Sequence, residues 1–458
     1  MHALARPDAV KRRAAGQSGE GKREHAAAAG AFGDEQEVAN GQSSRDTMSA
    51  ALSHLRICDF TGQLAGAGAT KFLAAFGAQV IRIEDPVLEG RWDVLRGAPP
   101  FKDERRGINL GGAFNNHNVE KLGITLNLRT ERGRDLLRRL VAVSDVVTEN
   151  FSAGVLERLG FGYAQLRTIR PDVIYVSNCG FGHSGPYRDY KTWGPIVQAV
   201  SGLTFSSGLP EEPPAGWGYS YMDHTAAYYM AMAVLLALHH RARTGEGQHV
   251  DMAATEAAAS LNGPALLDYT VNGRPLRRSG RPHSNRSQFP RMAPHGIYPA
   301  RGEDNWLALS CRDDGQWAAL GRVVGKPWAT AERFATLEGR LKAEDALDAL
   351  LGAWSEECDM FESARALRAA GVPASAVQRP QQRIDEDANT AAWGLWPSVR
   401  HVEMGEVRVD GLPVHLSETD WSIRRGAPCL GQDNAFVFGE ILGVGDSELA
   451  QLRADGVI

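Results

Sequence analysis

Residues 55–84 read LRICDFTGQLAGAGATKFLAAFGAQVIRIE, and the fold class follows from them. Residues 55–60 are a short apolar run of the kind that forms a buried strand. A glycine-rich turn comes next, then an apolar helix through Phe76, then a second strand over 78–84. The alternation continues with a strand over 124–128, a helix carrying Leu136, Leu137, Leu140 and Val141 on one face, and strands over 145–149 and 172–178. Strands alternating with helices of this length predict an α/β, Rossmann-like parallel sheet covered on both faces. Residues 223–240 read as a wholly apolar, buried helix, closed by Thr244-Gly245-Glu246-Gly247, because glycine just past a helix is a usual stop. A strand over 249–252 and a helix over 255–266 follow.

After about residue 274 the character changes. Residues 277–291 are polar, with several Arg and Ser and two prolines, and read as a linker or loop. A hairpin is expected over 295–311 around Gly302-Glu303-Asp304-Asn305, and a second over 399–409 around Met404-Gly405. Helices are expected near 314–323, 338–355, 359–370, 435–442 and 446–454. The predicted organisation is a disordered tail (1–47), a large α/β domain (48–274), a smaller α+β domain (275–400), and a segment (401–458) returning to the large domain. The tail is rich in Ala, Gly, Ser, Lys, Arg and Glu and poor in large apolar residues, so it cannot bury enough surface to order itself. It has no apolar stretch of the secretory type, and Met48 offers an alternative start.

Composition narrows the function. The 458 residues carry 50 Lys plus Arg against 55 Asp plus Glu, a formal net charge of −5, so the basic excess of a nucleic-acid binder is missing. Five scattered cysteines form no C-x-x-C pair, which argues against a disulfide framework or a structural zinc site and for a reducing cytoplasm. The apolar run within 225–238 is shorter than the roughly 20 residues that span a bilayer. No metal-ligand cluster and no phosphate-binding G-x-x-x-x-G-K-[ST] occurs.

Three stretches invite chemistry. Gly66-Ala67-Gly68-Ala69-Thr70 follows a strand, and Glu84 ends the next, in imitation of a dinucleotide fingerprint, but Lys71 stands where the third glycine belongs. The glycines serve equally to pack a helix against the sheet. Gly180-Phe181-Gly182-His183-Ser184-Gly185-Pro186-Tyr187 follows a strand, where open α/β sheets bind ligands, though such a run is also an ordinary turn. Lys71, Arg82, Arg129, Arg158 and Lys191 are cations that can meet phosphates or simply face water. Asp223 stands just before the long apolar helix. It is either the helix N-cap or, with an unperturbed carboxyl pKa of about 3.9, a nucleophile ready at neutral pH without a base.

Taken in order, several segments resemble the class III CoA-transferase family, the formyl-CoA transferase and carnitine CoA-transferase type. They are Ile57-Cys58-Asp59-Phe60 with Ala65-Gly66, and the run from Phe76 to Glu84. Glu149-Asn150-Phe151 with Leu159-Gly160 and the 180–187 run come next, followed by Gln198-Ala199-Val200-Ser201-Gly202. Thr244-Gly245-Glu246-Gly247-Gln248 and Leu430-Gly431-Gln432 complete the set. The resemblance covers about residues 52–458. It implies an interlocked dimer and a catalytic aspartate ahead of the long helix, here Asp223. The implied reaction carries CoA from an acyl-CoA to a carboxylic acid through mixed-anhydride and aspartyl-CoA thioester intermediates. CoA contacts carried over by position are Leu64, Ala65, Leu126, Asn127, Leu128, Arg129, Asn150, Phe151, Ser152, Arg158, Tyr190, Lys191, Thr192 and Trp193. Coenzyme A is then a substrate rather than a tightly held cofactor, and no metal is implied.

Departures from the family pattern also stand in the sequence. Asp85 occupies a position where some members carry a phosphate-binding Arg, and Trp92-Asp93-Val94-Leu95-Arg96 replaces Gly-Asp-x-x-Arg. The glycine-rich lid has no clear match. The related α-methylacyl-CoA racemases use a His where Trp193 stands here, and Trp moves no proton at neutral pH. Residues 182–223, with Pro213-Pro214-Ala215-Gly216-Trp217, look most like the succinyl-CoA:benzylsuccinate type, whose members pair two similar subunits. That resemblance implies succinyl-CoA as donor, a bulky or aromatic dicarboxylate as acceptor, and a homodimer or a heteromer with a similar chain. Racemase and non-catalytic CoA-binding subunit are the alternative readings.

Overall fold

Six strands, β1 (Arg56–Phe60), β2 (Gln79–Glu84), β3 (Leu122–Thr125), β4 (Val146–Glu149), β5 (Ile174–Cys179) and β6 (His249–Ala253), form one all-parallel sheet in the order β3-β2-β1-β4-β5-β6. The computed structural model describes residues 50–208, 212–218, 221–276, 285–287 and 289–458. The expected tail and much of the expected 277–291 linker lie outside the described residues.

Alternation along each strand explains the two covered faces. Ile57, Val80, Val146, Ile174 and Val176 pack with Leu73 of the helix Ala65–Ala75 and with Ala227, Met230 and Val234 of the long helix Tyr221–Thr244. Their neighbours Cys58, Ile81, Ile124, Val147 and Tyr175 point the other way. They meet Leu136, Leu137 and Leu140 of Glu131–Ala142, together with Val437, Phe438, Leu449 and Leu452. A sheet buried on both sides needs apolar residues at every position, as β5 has over most of its length. The chain builds outward from β1 through β2 to β3, then returns to build β4, β5 and β6 on the other side. This reversal leaves a crevice between the carboxyl ends of β1 and β4.

A three-stranded antiparallel sheet, β7 (His295–Ala300), β8 (Asn305–Ser310) and β9 (Ala374–Ala376), has its own core. Tyr298, Leu307 and Leu309 pack there against Trp317, Leu320, Phe334, Leu347, Leu351, Trp354 and Leu367. The hairpin β10 (Ser398–His401) and β11 (Gly405–Arg408) turns over Val402-Glu403-Met404, one step before the expected Met404-Gly405, with Gly405 already paired to His401.

Four expectations need correction. The strand expected over 124–128 lies at Leu122–Thr125, because Asn127 starts the turn into the next helix, its side chain accepting from Arg129 N and its carbonyl from Thr130 N. The helix expected over 255–266 breaks into Ala254–Ala259 and Gly263–Asn272, since Pro264 lacks the N–H that would continue it and suits a helix start. Ala343 likewise divides the helix expected over 338–355. The long helix is not buried all round: Tyr228, Met232 and Leu236 stand exposed on its outer side.

Candidate active site

Each strand end at the crevice contributes to one cavity of about 330 Å³. Gln63 and Leu64 come from the loop after β1 and Ala65 from the start of the helix that follows it, Asn150 to Ala153 from the loop after β4, and Asn178 to Gly180 from the end of β5. Ala254, Trp92, the segment 190–194 and Asp223 complete the wall.

The loops are tied to one another. Asn150 Nδ2 donates to Gly62 O at 2.9 Å and its Oδ1 accepts from Gly62 N at 2.8 Å, joining the loops after β1 and β4. Beside this lock Gln63 takes a left-handed backbone, φ +55°, a conformation that favours glycine. Asp93 holds it there, accepting from Gln63 N at 3.0 Å and from Arg82 Nη2 at 2.7 Å, while Arg82 Nη1 donates to Thr61 O. Arg82 and Asp93 are fully buried, so each charge depends on the other. Gln63 escaped the sequence reading because a polar loop residue carries no pattern; the buried pair behind it is visible only in three dimensions.

Asp223 is the third residue of the helix Tyr221–Thr244, inside its first turn rather than at the N-cap. Its carboxylate therefore sits at the positive end of the helix macrodipole. His224 lies beside it, its ring 5.5 Å from that of His117, a buried group whose pKa is lowered to about 4 chiefly by desolvation. Behind the Cys179 wall, His183 places Nε2 3.1 Å from Oε1 of the buried Glu149. Burial pulls this imidazole down, but Cys179 and Glu149 outweigh it and raise its pKa to about 10.

Of the residues carried over by position, Leu64, Ala65, Asn150, Phe151, Ser152, Tyr190, Lys191, Thr192, Trp193 and Asp223 share this cavity. Leu128, Arg129 and Arg158 instead line a second hollow of about 410 Å³ with Arg134 and Arg138. The two hollows are linked where Arg158 Nη1 donates to the carbonyl of Ala153, a residue of the first. Arg134 and Arg138 already pair with Glu131, and Arg129 lies 3.5 Å from Asp85. Leu126 and Asn127 line neither hollow: Leu126 is buried in the sheet core, and Asn127 spends its amide on Arg129 N and Gly456 O. The dinucleotide imitation dissolves for a physical reason. Glu84 is 1% exposed and is held by Arg96 and Arg82, while a side chain on Gly66 would strike Thr61 and Asn150.

A doubly wound sheet with a carboxylate at its switch-point cavity and a cluster of arginines alongside defines a class of enzymes for anionic, extended ligands. The chain matches CoA-transferase family III over residues 52–434 and belongs to that family. It is 32% identical to the succinyl-CoA–D-citramalate CoA-transferase of Chloroflexus aurantiacus, over 89% of this chain and 98% of that one. It is 31% identical to the formyl-CoA:oxalate CoA-transferase of Streptomyces avermitilis, over 90% and 100% respectively. A CAIB/BAIF family protein from Brucella suis superposes with a TM-score of 0.77 at 31% identity, covering 86% of this chain and all of that one. The chain is thus a CoA-transferase. Among the described residues no helix is long and apolar enough to cross a membrane.

Proposed function

We propose that the enzyme moves CoA from succinyl-CoA to a dicarboxylic acid through covalent intermediates on Asp223. The observation that carries this reading is that Asp223 lines one cavity with Gln63–Ala65, Asn150–Ser152 and Tyr190–Trp193. Asp223 attacks the thioester carbonyl, expelling CoA thiolate and leaving a mixed anhydride. The thiolate then attacks the aspartyl carbonyl, releasing the donor acid and leaving an aspartyl-CoA thioester. The acceptor carboxylate attacks that thioester to form a second anhydride, and the returning thiolate takes the acceptor acyl group and frees Asp223. Each step exchanges one activated acyl group for another, which suits nucleophilic catalysis. Water must be kept out, since every intermediate hydrolyses. Trp92, Phe151, Tyr190 and Trp193 supply apolar walls, and Arg188 and Lys191 bring positive charge to the mouth.

Arg129 and Arg158 would hold the CoA phosphates in the second hollow. The succinyl donor is favoured by the name of the Chloroflexus relative, and a bulky acceptor by the exposed rings of Tyr190 and Trp193. A second chain, identical or similar and interlocked with this one, would cover the exposed Leu236, Leu267, Tyr269 and Val271. The division at about 274 and 400 belongs to the same reading: Tyr298 to Val372 share one core, while Asn434 bonds β3 of the large sheet. Five free cysteines fit a cytoplasmic setting.

The test is hydroxylamine trapping of the purified protein with succinyl-CoA, followed by peptide mass mapping. A hydroxamate on Asp223, absent in Asp223→Ala, is the expected result. If succinyl-, formyl- and acetyl-CoA all leave Asp223 unmodified, the covalent route fails. Exchange of the α-hydrogen with solvent deuterium would then favour a racemase, and activity only with a second purified chain a silent subunit.

A further inference from the structure

A third hollow, of about 570 Å³, shares the segment 91–93 with the Asp223 cavity. Trp92 lines that cavity, its ring 5.1 Å from that of Phe151, while its chain neighbours Arg91 and Asp93 line the hollow. Residues between 94 and 108 supply the rest of the wall. This stretch is tied down at three points. Arg96 Nη1 donates to Asn109 Oδ1 at 3.0 Å, Phe101 bridges Gly111, and Lys102 Nζ donates to the carbonyls of Met404 and Glu406 at 3.0 and 2.8 Å. The hollow is therefore held open without a ligand.

Its lining combines two chemistries. Val94, Pro99, Phe101 and Ile108 are apolar, and Arg91 and Arg106 are cationic. Asp93, the one carboxylate in the lining, is fully buried and already engaged, accepting from Arg82 Nη2, Gln63 N and Leu95 N. Arg91 meets Glu89 at 2.6 Å, but both side chains are largely exposed and such a pair is weak. Arg106 is exposed and forms no ion pair among the described residues. An apolar hollow of roughly 300–1,000 Å³ with a few charged groups is the usual form of a small-molecule site. A sugar or nucleotide would bury polar groups against the four apolar side chains without partners, which is costly. A carboxylate on an apolar body meets both halves of the lining, since a guanidinium grips a carboxylate with paired hydrogen bonds. We propose that this hollow is a further ligand site, which binds an aliphatic or aromatic carboxylate with its charge on Arg106 and Arg91.

The test is calorimetric titration of the full chain, saturated with CoA, using 4-phenylbutyrate as probe. One saturable site is expected, with 4-phenylbutanol, which lacks the charge, binding at least about tenfold more weakly. Arg106→Ala should weaken the probe by a similar factor, and Val94→Trp, which fills the hollow, should abolish its binding. Both variants replace exposed side chains and should keep wild-type affinity for CoA, which reports the fold through other cavities. Absence of saturable binding overturns the proposal. So does binding that CoA eliminates, which would place the probe in the Asp223 cavity, or binding that both variants leave unchanged. Two sources of such an acid are separated by adding succinate. Displacement of the probe makes the hollow a seat for the acid substrate, and undiminished binding makes it an effector site. Asp223→Ala should bind the probe as the wild type does, so the hollow stands or falls apart from the covalent chemistry at Asp223.

Discussion

Asp85 bears directly on the proposed phosphate contacts, because its carboxylate faces Arg129 of the second hollow. The carboxylate lies 3.5 Å from Arg129 and, on the proposed reading, competes with a CoA phosphate for it. The pair is largely open to solvent on the arginine side, so it is weak, and a phosphate can displace it. Replacing Asp85 with Asn should lower the KM for acyl-CoA about threefold at low salt, the equivalent of the ~0.5–1 kcal/mol of an exposed pair, with the effect shrinking as salt screens it. Steady-state kinetics at two ionic strengths read this directly, and an unchanged KM would place the phosphates elsewhere. Single residues were unevenly legible in the sequence. Asp223 stood out because a charge beside a long apolar run is conspicuous. Asn178 did not, because a polar residue at the end of an apolar strand looks like the start of a loop.

The helix Ala65–Ala75 shows how an element can be legible in kind and misleading in purpose. Its glycines suggested either a phosphate cradle or close packing, and the geometry supports packing. A Cβ on Gly66 would stand 2.5 Å from Thr61 Cβ and 2.8 Å from Asn150 Cγ, and one on Gly68 3.2 Å from Ala227 Cβ of the long helix. Gly66 also lies against the Asn150–Gly62 lock that shapes the cavity. Gly66→Ala should therefore destabilise the protein by about 1–3 kcal/mol despite the better helix propensity of alanine, as measured by urea unfolding. A neutral or stabilising result would mean that the loops after β1 and β4 yield easily. Elements failed to read out where they were short or interrupted by a single residue. Strand β9 is three residues of Ala-Ser-Ala, too small and too apolar to alternate visibly. Pro264 and Ala343 each divide what periodicity alone makes one helix.

At the scale of the whole molecule, the large sheet depends on residues far along the chain. Asn434 Oδ1 accepts from Thr125 N at 2.9 Å and its Nδ2 donates to Thr125 Oγ1 at 2.8 Å, at the end of β3. Asp433 accepts from Gly123 N on the same strand, and Ser422 N donates to Ala75 O. Asn434→Ala would leave a buried Thr125 N–H without its partner and should cost about 1–3 kcal/mol in thermal or urea unfolding. A loss below a few tenths would show that this docking is incidental. Local periodicity placed helices after residue 434, but it could not say which strand they cover, because that contact joins residues 309 apart in sequence. The same separation acts during protein synthesis. At a ribosomal pace of about 5–20 residues per second, β3 emerges roughly 15–60 s before the residues that close over it. For that interval Ile124, Leu137 and Leu140 lack the covering of Val437, Phe438 and Leu449. A nascent chain therefore presents an open apolar face to its crowded surroundings, and its yield in a cell is governed by translation speed and chaperone supply as much as by the stability of the finished fold.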